Sequence, residues 1–141
     1  MSAAETLHIH VDGASRGNPG EAGFGVHVAA ADGRTVAELY GHLGRATNNV
    51  AEYEGLLHAL RWALAHGTGS VEIFSDSELL VRQMAGRYRV KNPRLQPLHR
   101  EACELVGRLG HVRIQHVRRE ENREADALAN RALDERASKL S

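Results

Sequence analysis

The chain has 141 residues, 42% of them hydrophobic, enough for one domain with one sizeable core and too few for a second catalytic domain. Eighteen basic residues balance eighteen acidic ones, which argues against indiscriminate binding of polyanions, and the single Cys103 excludes an intrachain disulfide or a multi-cysteine zinc site and reads as a core thiol. Met1 to Thr6 has neither the basic flank nor the apolar run of a signal peptide, and nothing approaches the roughly 20 apolar residues of a membrane span, so a monomeric cytoplasmic protein with no membrane partner is expected.

Leu7, Ile9 and Val11 alternate with His8, His10 and Asp12, the pattern of a strand with one buried face, and Asp12 is expected to close it. The run GASRGNPGEAG reads as a turn. Phe24, Val26 and Val28 then alternate through a second strand, and Asp32-Gly33 marks a tight turn into a third, from Thr35 to His42. Three sequential antiparallel strands are predicted. From Asn49 the period changes, with Tyr53, Leu56, Leu57, Leu60 and Leu64 on one side of a helix that Gly67 and Gly69 end. Val71, Ile73 and Phe74 make a short strand, Leu79, Leu80, Gln83 and Met84 a short helix, and Leu95 to Leu109 a longer one. Val112, Ile114 and His116 share a strand face, and Ala125, Leu128, Ala129, Ala132 and Leu133 line a last helix. Strands reached across helices lie parallel, with right-handed crossovers. The result is an α/β domain spanning 1–141, with 1–5 and 136–141 as tails open to disorder.

No acidic residue lies between Leu79 and Arg100, a stretch that carries Arg82, Arg87, Arg89, Lys91, Arg94 and Arg100 with Tyr88 among them. A solvated basic helix and loop fit this stretch, and so does a phosphate-facing patch.

Four carboxylates carry the chemistry. Asp12 ends the first strand and Asp76 follows the fourth; if those strands are parallel neighbours, both acids emerge at the carboxyl edge, where open α/β sheets bind ligands. Glu52 and Asp126 flank the apolar stripes of their helices, in their first turns, and reach the same edge without burial. Each acid has a duller reading: Asn49 with Glu52 as a capping pair, Asp126 as an acid at a helix start, Asp76 as the cap of the short helix, Asp12 as a turn residue. Those readings do not explain four acids at one sheet edge, where unneutralised carboxylates raise one another's pKa values. A divalent cation removes the conflict. Oxygen-only ligands suit Mg²⁺ or Mn²⁺, and two such ions activate water and stabilise the leaving oxygen of a phosphodiester.

DGASRGNPG, TNNVAEYEGLLHAL, FSDSELLVRQM and REENREADALAN resemble, in order and spacing, the four motif blocks of type I ribonucleases H, over nearly the whole chain. The resemblance implies a ribonuclease H-like fold: a five-stranded mixed sheet, three antiparallel hairpin strands plus two parallel strands, flanked by helices. It also implies hydrolysis of the RNA strand of an RNA/DNA hybrid, giving 5′-phosphate and 3′-hydroxyl ends, with Asp12, Glu52, Asp76 and Asp126 as metal-binding catalytic acids. Gly13, Ser15, Asn18, Thr47, Asn48 and Asn49 are implied to contact the hybrid, where short side chains approach a minor groove and asparagine both donates to and accepts from a ribose 2′-hydroxyl.

The pattern departs from relatives at three places. Glu78 stands where many carry glutamine. Only AGRYRVKNP occupies the position of their long basic protrusion. Where many carry a loop histidine before the last acid, this chain has His116, which alternation with Ile114 places on a strand, so Arg118, or else Arg119, is the candidate for that charge, with His116 itself as the alternative. DNA-strand transfer or junction resolution on a related fold, and a non-catalytic hybrid-binding module, are the alternatives. The asparagine-rich block weighs against the first, and four acids placed where phosphates approach weigh against the second.

Overall fold

The computed structural model describes residues 6–67 and 69–141; the tail expected over 1–5 lies outside the described residues. The alternation that starts at Leu7 builds β1 (Thr6–Gly17). A tight turn at Asn18-Pro19 leads into β2 (Gly20–Ala29), and the Asp32-Gly33 turn leads into β3 (Thr35–Ala46). Gly33 holds φ at 92°, a left-handed backbone that costs a glycine no Cβ clash.

β1 does not close at Asp12. The Gly- and Ser-rich run read as a turn pairs with β2 from Asp12 opposite Gly25 to Gly17 opposite Gly20. Small turn-forming residues stay extended here because a partner strand takes their backbone groups. In the same way β3 runs on past His42.

α1 (Asn48–Ala65) is capped by Thr47, whose side-chain oxygen accepts from the Val50 N–H at 3.2 Å. This excludes the Asn49/Glu52 capping pair of the duller reading and places Glu52 beyond the first turn in which it was expected. Then follow β4 (Ser70–Ser75), α2 (Glu78–Met84), α3 (Gln96–Leu109), β5 (Val112–His116), a 3₁₀ turn (Arg119–Glu121) and α4 (Arg123–Glu135). The five strands form one sheet in the order β3-β2-β1-β4-β5, antiparallel from β3 to β1 and parallel from β1 to β5.

Ile9, Val11, Phe24, Val26 and Val28 form the main core with Tyr53, Leu56, Leu57 and Leu60 of α1 and Ala102 and Leu105 of α3. Each fully buried side chain of this size contributes roughly 1.5–3 kcal/mol, so α1 is fixed in depth and rotation against the sheet. α4 lies on the opposite face, where Leu128 and Ala132 pack on Tyr40. Its approach is close: a Cβ added to Gly25 would stand 2.2 Å from the Ala125 carbonyl oxygen.

Two further expectations are corrected. Residues 136–139 of the expected tail are docked, because Tyr40 and Lys139 exchange backbone hydrogen bonds of 2.9 and 2.7 Å and the Ser138 hydroxyl accepts from the His42 N–H at 2.9 Å. The tail thus covers part of the β3 edge, which would otherwise present unpaired backbone groups. Cys103 is exposed on α3 rather than in the core, since the buried stripe of that helix runs through Ala102 and Leu105. Among the described residues, no helix is long and apolar enough to cross a membrane.

Candidate active site

The parallel ladder between β1 and β4 ends at the pair Val11–Ser75. Asp12 and Asp76, the next residues, therefore stand together at the carboxyl edge, although β1 itself continues. Two glycines bring α1 down onto this point. A Cβ on Gly13 would meet the Glu52 nitrogen at 2.3 Å, and one on Gly55 would meet the Asp12 carbonyl oxygen at 3.2 Å. Backbone packing of this kind places Glu52 beside Asp12.

Carboxylate oxygens of Asp12, Glu52 and Asp76 all lie within 4.8 Å of one another. Asp126, in the first turn of α4, joins the group from the other face of the sheet, near enough for its charge to push the Asp12 carboxyl up. All four line one cleft of about 630 Å³. Asp76 caps nothing, because Ser77 is the N-cap of α2, accepting from the Leu80 N–H.

The electrostatics follow from this crowding. Asp12, only 7% exposed, has its carboxyl pushed up to about 9, first by burial and then by the charges of Asp76, Asp126 and Glu52. Glu52 is pushed up to about 7 by burial, which Ser77 opposes, with Asp76 raising and Arg119 lowering the value. A divalent cation is the group that such a set fits: the donors are all hard oxygens, and its charge offsets a repulsion that protons otherwise relieve.

Gly13, Ser15, Asn48 and Asn49, expected to contact the hybrid, line the cleft. Asn18 and Thr47 do not. They build its rim instead: the Asn18 side-chain oxygen accepts from the Asn48 N–H at 3.1 Å, and Thr47 caps α1. His116 is the last residue of β5, as alternation placed it, and lines a neighbouring cavity of about 400 Å³ with Glu78, Arg82 and Arg87. Of the two arginines offered for the loop charge, Arg118 is exposed and outside the cleft lining, whereas Arg119 lines it. The 3₁₀ turn starting at Arg119 separates the two arginines, and nothing in the spacing of the sequence announced that turn. Asn130 was also missed. It lines the cleft and donates to the Asp126 carbonyl at 3.0 Å and to its carboxylate at 3.4 Å; its place one helical turn after Asp126 was the available signal.

A mixed five-stranded sheet with one acid inside β1 where its parallel ladder ends, one just past β4 and two from helices, all converging at one edge, is the ribonuclease H-like class of fold and site. Residues 10–132 match the family described as Reverse transcriptase-like. The chain is 43% identical over 129 residues to a ribonuclease HI of Halobacterium salinarum, covering 92% of this chain and 65% of that protein. The crystal structure of the RNase H1 of that archaeon superposes with a TM-score of 0.88, covering 92% of this chain and 98% of the solved one. A bifunctional protein of Mycobacterium tuberculosis is 46% identical over 127 residues, covering 89% of this chain and 35% of that protein. LC11-RNase H1, solved in complex with an RNA/DNA hybrid, is 39% identical with a TM-score of 0.88, covering 92% of this chain and 98% of the solved one. The chain belongs to the type I ribonuclease H family. It spans about a third of the mycobacterial relative and about two thirds of the halobacterial one.

Proposed function

We propose that this chain hydrolyses the RNA strand of RNA/DNA hybrids, with Asp12, Glu52, Asp76 and Asp126 as the catalytic acids. The observation that carries the reading is the convergence of carboxylate oxygens of Asp12, Glu52 and Asp76 within 4.8 Å, in a fold shared with a relative solved on such a hybrid. Two divalent ions, Mg²⁺ with Mn²⁺ as a substitute, would be held by the four acids and would supply the positive charge that activates water and steadies the departing 3′ oxygen. The chain's own residues do the rest. Ser77, beside Glu52 in the cleft lining, favours its charged form, and Asn130 donates to the Asp126 carboxylate. Arg119 brings a fixed positive charge to an acidic cleft that must admit a phosphate. Gly13, Ser15, Asn48 and Asn49, backed by Asn18 and Thr47, offer close backbone approach and paired donors and acceptors for ribose hydroxyls. A monomer working in the cytoplasm belongs to the same reading.

The test is a gel assay on end-labelled RNA/DNA hybrid, DNA duplex and RNA duplex, with and without Mg²⁺. Cleavage is expected only of the RNA strand of the hybrid, only with metal, leaving 5′-phosphate and 3′-hydroxyl ends. Cutting of a DNA strand would replace the reading with strand transfer or junction resolution, and binding without cutting would leave a hybrid-binding module. A 2′,3′-cyclic phosphate would show attack by the RNA's own hydroxyl and sink the hydrolytic mechanism.

A further inference from the structure

Among the described residues, Asn122 has the buried side chain with an atom left unpaired. It is fully buried where the 3₁₀ turn gives way to α4. Its Nδ2 donates to the Val11 carbonyl at 2.9 Å, while its Oδ1 has no hydrogen-bond partner. An amide carbonyl left unpaired in the interior is costly, and an apolar side chain would avoid that cost. Gln83, equally interior, differs in that its Oε1 accepts from the Tyr53 hydroxyl at 2.6 Å. What position 122 gains from asparagine is therefore the single donated bond.

The main chain of the same residue shows what that bond connects. The Asn122 carbonyl accepts from the Asp126 N–H at 3.1 Å, and its N–H donates to the Arg119 carbonyl at 3.0 Å. Val11 is the last rung of the β1–β4 ladder and immediately precedes Asp12. One residue thus ties the strand carrying Asp12 to the helical turn carrying Asp126 and to the turn carrying Arg119. The rest of the α4 seat is apolar, with Gly25 beneath Ala125 and with Leu128 and Ala132 on Tyr40. Apolar contact holds the helix down but is non-directional, whereas a hydrogen bond fixes position along the axis.

We propose that Asn122 is a positioning residue, whose Nδ2 bond to Val11 sets where Asp126 stands relative to Asp12. The proposal rests on the hydrolytic reading of the cleft. A displacement of about 1 Å at such a site costs on the order of 100-fold in rate, and it leaves hybrid binding, which depends on phosphate and sugar contacts, nearly untouched.

Asn122→Ala removes the donor and the unpaired acceptor together. Asn122→Ser suits a helix N-cap but is too short to reach Val11. Both are compared with the parent chain by kcat and KM on labelled hybrid at saturating Mg²⁺, by melting, and by amide NMR during Mg²⁺ titration without hybrid. The expected result is a folded variant with kcat lower by about 30-fold or more, KM within about threefold, and a Mg²⁺-dependent shift of the Asp126 amide that is lost while that of Asp76 persists. A folded variant with kcat within threefold of the parent, or a loss carried by KM, would overturn the proposal. So would unfolding of both variants, which would make Asn122 a residue of stability alone. If the parent chain does not cut the hybrid, the hydrolytic reading fails and the NMR titration decides by itself: loss of the Asp126 shift supports the positioning role, and its retention overturns it.

Discussion

The acidic cleft and the basic stretch that follows it place charge in opposite ways. In the cleft, Asp12 is 7% exposed and packed under α1 by contacts that only glycine permits at position 13 and that leave a Cβ little room at position 55. In the stretch from Arg82 to Arg100, Arg87, Tyr88, Arg89 and Lys91 are all exposed. Of its cations, Arg82 is the one held in an ion pair among the described residues, by Glu78 at 2.6 Å, and it also lies over the Tyr88 ring at 5.4 Å. Charge forced together by packing acts at short range in a low-dielectric site, so its loss is all or none. Charge spread over solvent acts through a field that salt screens beyond about 8–10 Å, so its loss is graded.

The sharpest way to break this contrast is Asp12→Asn. Cleavage should fall more than roughly 1000-fold, because the several kcal/mol that a bound metal contributes to the transition state depends on the ligand set. Melting without metal should be unchanged or raised, since the substitution removes repulsion. Retained metal-dependent cleavage would defeat the assignment. The same variant isolates a pH effect. A carboxyl whose folded value is raised binds its proton more tightly folded than unfolded, so the stability it contributes is full below its ordinary value of 3.8 and is lost as pH rises through about 9. In chelator, the melting temperature of the parent chain should therefore drop below that of Asp12→Asn by a margin that widens from pH 5 to pH 9. A margin independent of pH would show that Asp12 is not held protonated. With metal limiting, cleavage should rise over the same range, since the cation competes with those protons.

Neutralising Arg87, Arg89 and Lys91 together probes the other side. KM should rise roughly 30-fold at low salt while kcat changes little. The slope of log affinity against log salt should flatten by about one unit for each phosphate that the variant no longer neutralises. An unchanged slope would mean that the stretch faces away from the hybrid and that the contrast between the two regions is one of burial alone.

How much of this was legible in the sequence divides along similar lines. Period-2 alternation at Leu7–Val11 and period-3.6 spacing at Tyr53–Leu60 report burial directly, so the strands and helices and their order along the chain could be read from them, whereas the meeting of Asp12 with Asp76 depended on the first and fourth strands being neighbours, which the sheet shows. The continuation of β1 past Asp12 could not be read, because Gly13 to Gly17 reads as a turn until β2 is there to pair with it. Thr47 is the cap, where the duller reading of Glu52 had offered Asn49, and DGASRGNPG and TNNVAEYEG meet beside it in space, Asn18 holding the Asn48 N–H. The docked residues 138–139 answer an edge strand 96 or more residues earlier, a relation that no local pattern encodes.

The loop before Asp126 is where the two modes of charge meet, and it carries the smallest expected effect. Arg119 is exposed like the basic stretch yet lines the acidic cleft, where its charge opposes the rise of Glu52. Arg118, one residue earlier, gives its backbone N–H to the Glu121 carboxylate at 3.0 Å and lies outside the cleft lining, as does His116. An arginine stays protonated across the working range, so it attracts and releases phosphate without moving a proton. Its removal should slow turnover and leave the metal ligands in place. Arg119→Ala is therefore expected to lower kcat about 10-fold with little change in the Mg²⁺ concentration at half-maximal rate, and Arg118→Ala and His116→Ala about twofold or less. The three are compared at saturating hybrid and fixed Mg²⁺, with melting curves alongside. If His116→Ala proves the most damaging, the working charge comes from the end of β5 and reaches the phosphate from the neighbouring cavity. If all three are silent, the cleft works by its acids and metals alone, and the contrast between packed and screened charge extends to its rim.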